Sequence, residues 1–425
     1  MGLFSALKDI FGDPTPKTTN SQPGQGPIMN LQRPEGLALG VGVSSGVLHG
    51  MGHPQGLITN QFVWLANDDA CQNIVVFGGI GAGKTTRVIN PLLFQLLGYN
   101  DVGGLIFDIK GDFCESVDAV AKWQRREYVK IGVGPGCVGI NLLKGLTPEQ
   151  AAGFLQSTFY LTGGATQESF WVQSAVALIQ NTLGLLEALG DKYYNLEKLY
   201  QYIFYEDVRK AIDMMIDDEV HYEDGTLEAR NLANYKGYYS SVFLQMDIKM
   251  RESIKATLST ILSPFQNPEL IDAFSGTNDD ENYNLLNILS GSVVLVDLPL
   301  AKWATAGKVV YTMIKLRFFN LLQERQVDKT KPQNFVFFMC DEYQNIISAS
   351  KDGLSDLSFW DKSRSAHCVG IISTQSISAF KSAIGNPTLS DTILANFRQK
   401  IFFKTEDSET LRYINSLAGR VEVTR

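Results

Sequence analysis

Residues 74 to 90, "IVVFGGIGAGKTTRVIN", constrain the fold more than any other stretch: an apolar, β-branched run breaks into glycines, then into a lysine and two threonines. The spacing satisfies G-x-x-x-x-G-K-[ST], with Gly78, Gly83, Lys84 and Thr85 in register, and Ile74 to Val76 supply the strand that must precede such a loop. Gly78, Gly79, Gly81 and Gly83 let the backbone curl until successive amides point at phosphate oxygens, and the helix behind adds the positive end of its dipole. Lys84 is then expected to reach the β- and γ-phosphates of ATP and the Thr85 hydroxyl to ligate Mg2+, with Thr86 in the same loop. A chain built around this element needs an α/β sheet.

The rest of the sequence supplies one. Apolar runs at "GGLIFDIKGD", "REYVKIGVGPG", "SGSVVLVDLPL", "NFVFFMCDEYQN", "HCVGIISTQS" and "RQKIFFKTED" read as buried strands, and helical patterns such as "GKVVYTMIKLRFFNLLQERQ" lie between several of them. Such alternation indicates a parallel sheet covered on both faces. From about Thr147 to Phe274 the apolar period is helical instead, as in "ESIKATLSTILSPF", where Ile254, Leu258, Ile261, Leu262 and Phe265 share a face. The expected division is a tether over residues 1–35, a nucleotide-binding unit over 36–145 and 286–425, and an all-helical insertion over 146–285.

Composition excludes several classes. The net charge of −8 argues against a surface coated in basic residues, so contact with nucleic acid must be confined to a groove or pore. The five cysteines are scattered without a C-x-x-C pair, and neither they nor the four histidines show metal-ligand spacing. The most apolar stretch, "WVQSAVALIQNTLGLLEAL", carries Gln173, Gln180, Asn181 and Glu187 and does not read as a membrane span. At the N-terminus, Leu3, Phe4, Leu7, Ile10 and Phe11 share a helical face, which predicts peripheral contact with a membrane or partner through residues 1–12. The stretch from Gly12 to Pro34 reads as a flexible tether.

Further chemistry sits at strand ends. In "FVFFMCDEYQN" the apolar run delivers Asp341 and Glu342, the pair expected on a strand beside the P-loop: Asp341 to hold Mg2+ through water, Glu342 to take a proton from the attacking water. Asp108, ending "GLIFD", competes for the metal role but has no adjacent carboxylate. Gln375, ending "GIISTQS", is placed to orient water or sense the γ-phosphate. Lys122, Arg125 and Arg126 in "KWQRREYVK" read as a helix face leading into a strand rather than as a nucleic-acid patch.

The P-loop, the "FDIKGD" strand, a helical insert with Phe170 and Trp171, "FFMCDEYQN", "SRSAHCVGIISTQS" and "RQKIFFKTEDSETLRYINSLAG" occur in the order of the type IV secretion coupling proteins, the VirD4/TraD/TraG group. The chain resembles that group over most of residues 36 to 420. The resemblance implies a RecA-like ATPase domain, a homo-hexameric ring at the bacterial inner membrane, and delivery of DNA-relaxase complexes or protein effectors to a secretion channel. The group's usual N-terminal membrane helices are replaced by the amphipathic segment and tether, and the sequence stops at "GRVEVTR", short of the expected closing elements, so a truncation of a longer protein is compatible with it. Ring ATPases of this kind complete the site with a cation from the neighbouring subunit, for which Arg364 is the first candidate and Arg398 the second. The alternatives are a nucleotide-gated cargo platform that does not translocate, and a double-stranded DNA pump of the FtsK/HerA type.

Overall fold

The computed structural model describes residues 36–43, 58–162, 169–276, 283–328, 330–350 and 353–418; the amphipathic segment and tether of residues 1–35, and residues 419–425, lie outside them. The first two strands, β1 (Gly36–Val43) and β2 (Ile58–Ala66), pair antiparallel in a sheet of their own. This hairpin is absent from the strands read in sequence, because the glycines of "GLALGVGV" dilute the signal of a strand.

The central sheet has seven strands: β3 (Ile74–Phe77), β4 (Gly103–Asp108), β5 (Val129–Gly132), β6 (Val293–Asp297), β7 (Val336–Cys340), β8 (Cys368–Thr374) and β9 (Gln399–Phe402), ordered β5-β6-β4-β7-β8-β3-β9. Every pairing within it is parallel. One expectation needs correction: β7, which carries Asp341 and Glu342 at its exit, does not lie beside the P-loop strand, because β8 is inserted between β7 and β3. Periodicity identifies strands but carries no information on which parallel strands become neighbours.

Both faces of the sheet are buried, as continuous apolar strands require. Ile74 and Val76 pack towards Leu92 and Leu93 of the Asn90–Leu97 helix and Val117 and Val120 of the Cys114–Gln124 helix. Val75 and Phe77 face the opposite way, into a core shared with the Leu300–Val327 helix and the helices inserted between β5 and β6. β4 crosses the centre without side chains at its start: a Cβ on Gly104 would lie 2.1 Å from the Phe337 ring.

The insertion holds helices at Pro148–Thr162, Ser169–Glu187, Leu196–Phe204, Glu206–Glu219, Leu227–Gly237, Ile248–Leu262 and Pro268–Phe274, with no strand among the described residues between β5 and β6. Ile254, Leu258, Ile261, Leu262 and Phe265 are fully buried, so the face read from their spacing is the packed one. Among the described residues no helix is long and apolar enough to cross a membrane.

The Leu300–Val327 helix joins the two regions. It is buried around most of its circumference, with Val310, Ile314, Leu316 and Phe318 all inaccessible, and Tyr311, Lys315, Arg317 and Arg325 each donate from it to a backbone carbonyl. Arg317 donates to Asn141 O and Lys144 O, both at 2.7 Å, where the chain leaves the sheet for the inserted helices. Burial lowers its pKa to about 10. Arg325 donates to Asn334 O at 2.9 Å and to Ala366 O, bracing the starts of β7 and β8.

Replacing Leu258 with Ala should leave an unfilled volume in the insertion and destabilise the protein by about 2–5 kcal/mol. Chemical denaturation followed by circular dichroism measures the loss.

Candidate nucleotide site

The site forms at the carboxyl ends of β3, β7 and β8, which lie near one another in the order β7-β8-β3. In the P-loop, Gly81 and Gly83 adopt φ of 73° and 91°, values that a side chain would strain, and Gly78 lies so close to Phe403 that a Cβ would come within 2.7 Å of its Cβ. The loop is pinned at its base by Gly78 N–H to Thr374 O at 3.3 Å and Gly79 N–H to Lys404 O at 3.4 Å. Thr85–Ile89 form a π-turn that runs directly into the Asn90–Leu97 helix, so the loop sits at a helix N-terminus.

Lys84 is buried, and its ammonium donates to Gly78 O at 2.7 Å across the mouth of the loop. The Thr85 hydroxyl donates to Asp341 Oδ2 at 3.0 Å, while Asp341 Oδ1 accepts the Ser373 hydroxyl and, at 2.9 Å, the Glu342 amide. One carboxylate therefore joins the exits of β3, β7 and β8. Thr86 is exposed and its hydroxyl turns back to Gly83 O at 3.3 Å.

Glu342 is 3% exposed and takes a left-handed conformation, φ 55° and ψ 42°, which for a residue with a side chain costs roughly 1–2 kcal/mol. Its carbonyl accepts Asn345 Nδ2 at 3.0 Å and Asn345 N–H at 3.1 Å, closing the turn that follows β7. The carboxylate meets three donors: Lys110 Nζ at 3.2 Å on Oε1, and Gln375 Nε2 at 3.0 Å together with Gln344 Nε2 on Oε2. Partial burial disfavours the charge on Lys110, but Glu342 and then Asp341 outweigh it and raise the lysine's pKa. Gln344 Oε1 is buried without a hydrogen-bond partner.

Asp108 has a different task. Its carboxylate accepts Gly111 N–H at 2.7 Å, Phe113 N–H at 2.9 Å and Cys114 N–H at 2.8 Å, so it holds the turn that starts the Cys114–Gln124 helix. Burial raises its pKa and the bonds from Cys114 and Gly111 oppose this. Arg126 is likewise occupied, donating to Tyr99 O at 2.9 Å, Val102 O at 3.0 Å and Gly291 O.

Arg364 and Arg398 are not brought to this site. They precede β8 and β9, at the strand starts, whereas the P-loop and carboxylates lie at the strand ends. The seven residues of β8 put Arg364 roughly 20 Å away at about 3.3 Å per residue. Both are exposed, and Arg364 forms a surface pair with Asp68 at 3.2 Å.

Ser373, Lys110 and Gln344 are site residues that the sequence did not single out. Ser373 lies two residues before Gln375 and Gln344 two after Glu342, and Lys110 stands in the quoted "FDIKGD" element, but only the strand order shows that β4 presents it to Glu342.

The geometry agrees with what the chain is similar to. A family model for the DNA-binding domain of type IV secretion-system coupling proteins matches residues 62–425. The chain belongs to that family. Among solved structures, it resembles the plasmid coupling protein TrwB in complex with the GTP analogue GDPNP, with a TM-score of 0.60 at 14% identity, over 89% of this chain and 81% of that one. TrwB in complex with ADP and Mg2+ matches with a TM-score of 0.55 at 15% identity, over 84% and 77%. VirB4 of Thermoanaerobacter pseudethanolicus matches with a TM-score of 0.51 at 15% identity, over 91% and 88%. No curated protein matches the sequence. The shared architecture is a RecA-like P-loop sheet carrying a helical domain.

Replacing Asp108 with Asn should cost about 1.5–3 kcal/mol in stability, because charge-assisted bonds to a helix start are lost. Mg2+-dependent nucleotide binding should persist; calorimetry on the purified variant checks both.

Proposed function

We propose that this coupling protein binds ATP with Mg2+ in the P-loop and hydrolyses it to drive DNA, as a relaxase-bound single strand, or protein cargo towards a type IV secretion channel. The observation that carries the reading is the 3.0 Å contact from Thr85 to Asp341, which joins the phosphate loop to an acidic pair whose second member is buried beside it. The residues fit the cofactor: a loop of inward amides, a buried ammonium, and a hydroxyl and carboxylate in contact suit a triphosphate with Mg2+. The ion would be held by Thr85 and, through water, by Asp341, and would neutralise charge on the phosphates.

In this reading the loop glycines Gly78, Gly79, Gly81 and Gly83 and the side chains of Lys84, Thr85 and Thr86 bind the phosphates. Lys84 leaves its own carbonyl partners for phosphate oxygens. Glu342 accepts the proton of the attacking water, and Gln375 aims the carboxylate. TrwB, matched above with bound nucleotide, supports the choice of ligand. The family description supports DNA as cargo. The division into a nucleotide-binding unit, 36–145 with 286–425, and a helical unit, 146–285, is part of the same proposal, as is a position at the cytoplasmic face of the inner membrane.

The proposal extends to a ring. Neither Arg364 nor Arg398 reaches the site of its own chain, so either acts only on a neighbour's nucleotide, and a homo-hexamer is the assembly proposed.

Lys84→Ala should abolish hydrolysis and weaken nucleotide binding, whereas Glu342→Gln should retain ATP and lose turnover by about 10²–10⁴-fold. Phosphate release and nucleotide titration read the two effects; wild-type turnover in Glu342→Gln removes it as the base.

Arg364→Ala should bind ATP normally and turn over slowly, since a trans-acting arginine contributes about 10³–10⁵ in related chemistry. Mixed with Lys84→Ala subunits it should regain activity, because an intact pocket then meets an intact arginine. A co-assembled mixture without activity excludes Arg364 from that role.

A further inference from the structure

Behind the site lies a buried ion pair that the proposed chemistry does not use. Lys315, midway along the Leu300–Val327 helix, donates to Asp356 Oδ2 at 2.6 Å, and both side chains are wholly inaccessible. Asp356 is saturated: Oδ2 also accepts Ser348 N–H at 2.7 Å and Ser348 Oγ at 3.0 Å, and Oδ1 accepts Trp360 Nε1 at 2.8 Å and the Tyr343 hydroxyl. Burial lowers the Lys315 pKa, and the charge of Asp356 opposes that.

The pair grips both ends of the turn that begins with Glu342. Tyr343 follows Glu342 directly; its ring lies under the Lys315 ammonium, 5.2 Å from ring centroid to Nζ, and packs edge-on against Phe338 and Trp360. Ile346, at the other end, gives its carbonyl to Lys315 Nζ at 2.6 Å. The residue held between β7 and these anchors is the one non-glycine left-handed position at the proposed site. A turn free to relax would carry the Glu342 carboxylate off its aim at Gln375 and Lys110. A buried charge pair is costly to keep, and the hydrogen bonds of this one go to the segment from Tyr343 to Trp360 that follows Glu342.

We infer that Lys315, Asp356 and Tyr343 are positioning residues, which hold Glu342 in its left-handed conformation so that its carboxylate faces the attacking water. The inference rests on Glu342 being the base. The same helix binds the start of the inserted helices through Arg317 and the exit of β4 through Tyr311, whose hydroxyl donates to Asp108 O and accepts Leu298 N–H. A shift of that helix is therefore felt at the base.

Two variants of the full chain test the assignment. Tyr343→Phe removes one hydroxyl and keeps the ring. The double variant Lys315→Met with Asp356→Leu exchanges the ion pair for apolar volume but leaves the Ser348, Trp360 and Tyr343 donors without their acceptor, so its melting temperature should fall and its turnover is read at a temperature where circular dichroism shows it folded. The melting temperature of Tyr343→Phe should stay near wild type, and for both variants the affinity for a non-hydrolysable ATP analogue should stay within twofold of wild type while kcat falls at least tenfold. In a Glu342→Gln background, Tyr343→Phe should cause no further loss, since a positioning residue has nothing left to position. A kcat within twofold of wild type in both folded variants overturns the inference, as does a further tenfold loss on the Glu342→Gln background. If Glu342→Gln alone hydrolyses ATP like wild type, the assignment of the base has failed first; if it is inactive and both other variants keep their kcat, only the positioning role is lost.

Discussion

Asp341 ties together the parts on which the rest of the site depends. One of its oxygens takes the hydroxyl of Thr85 behind β3, and the other takes the hydroxyl of Ser373 on β8 and the amide of Glu342 beyond β7. A parallel sheet delivers all its strand ends to one edge, so loops remote in sequence converge there without further instruction. The carboxylate satisfies polar groups at those exits that would otherwise be left without partners in a partly buried position. In doing so it sets the distance between the P-loop and Glu342.

Behind this edge, order is imposed by the Leu300–Val327 helix. Its apolar surface is enclosed on nearly all sides, and Tyr311, Lys315, Arg317 and Arg325 reach from it to carbonyls or a carboxylate in four places. Buried cations are costly unless satisfied: Lys315 is ion-paired with Asp356, and Arg317 and Arg325 donate to backbone carbonyls. The arrangement links the start of the inserted helices with the turn that carries Glu342.

The strands were legible because each is a run of apolar residues long enough to be buried on both faces and bounded by polar or glycine-rich segments. Helical spacing marked the insertion for the same reason, as the burial of Ile254, Leu258 and Ile261 shows. Strand order was not legible: nothing in "GIISTQS" says that it separates "FVFFMC" from "IVVF". The β1–β2 hairpin was hidden by its glycines. Lys84, Thr85, Asp341, Glu342 and Gln375 could be found because a spacing rule or a strand end marks them, and the structure brings them together. Lys110 and Ser373 could not, since each gains its meaning from a neighbour across the sheet. Lys315 and Asp356 were invisible, because charged residues on a helix and in a loop look solvated until both are found inaccessible.

The central claim is that Asp341 joins the P-loop to the metal. It is tested most directly by the affinity for ADP measured with and without Mg2+, in wild type and in Asp341→Asn. The account predicts that Mg2+ strengthens binding to the wild-type protein and that the variant binds ADP equally well with or without it. A variant that keeps the full Mg2+ dependence would contradict the account and place the metal on other ligands.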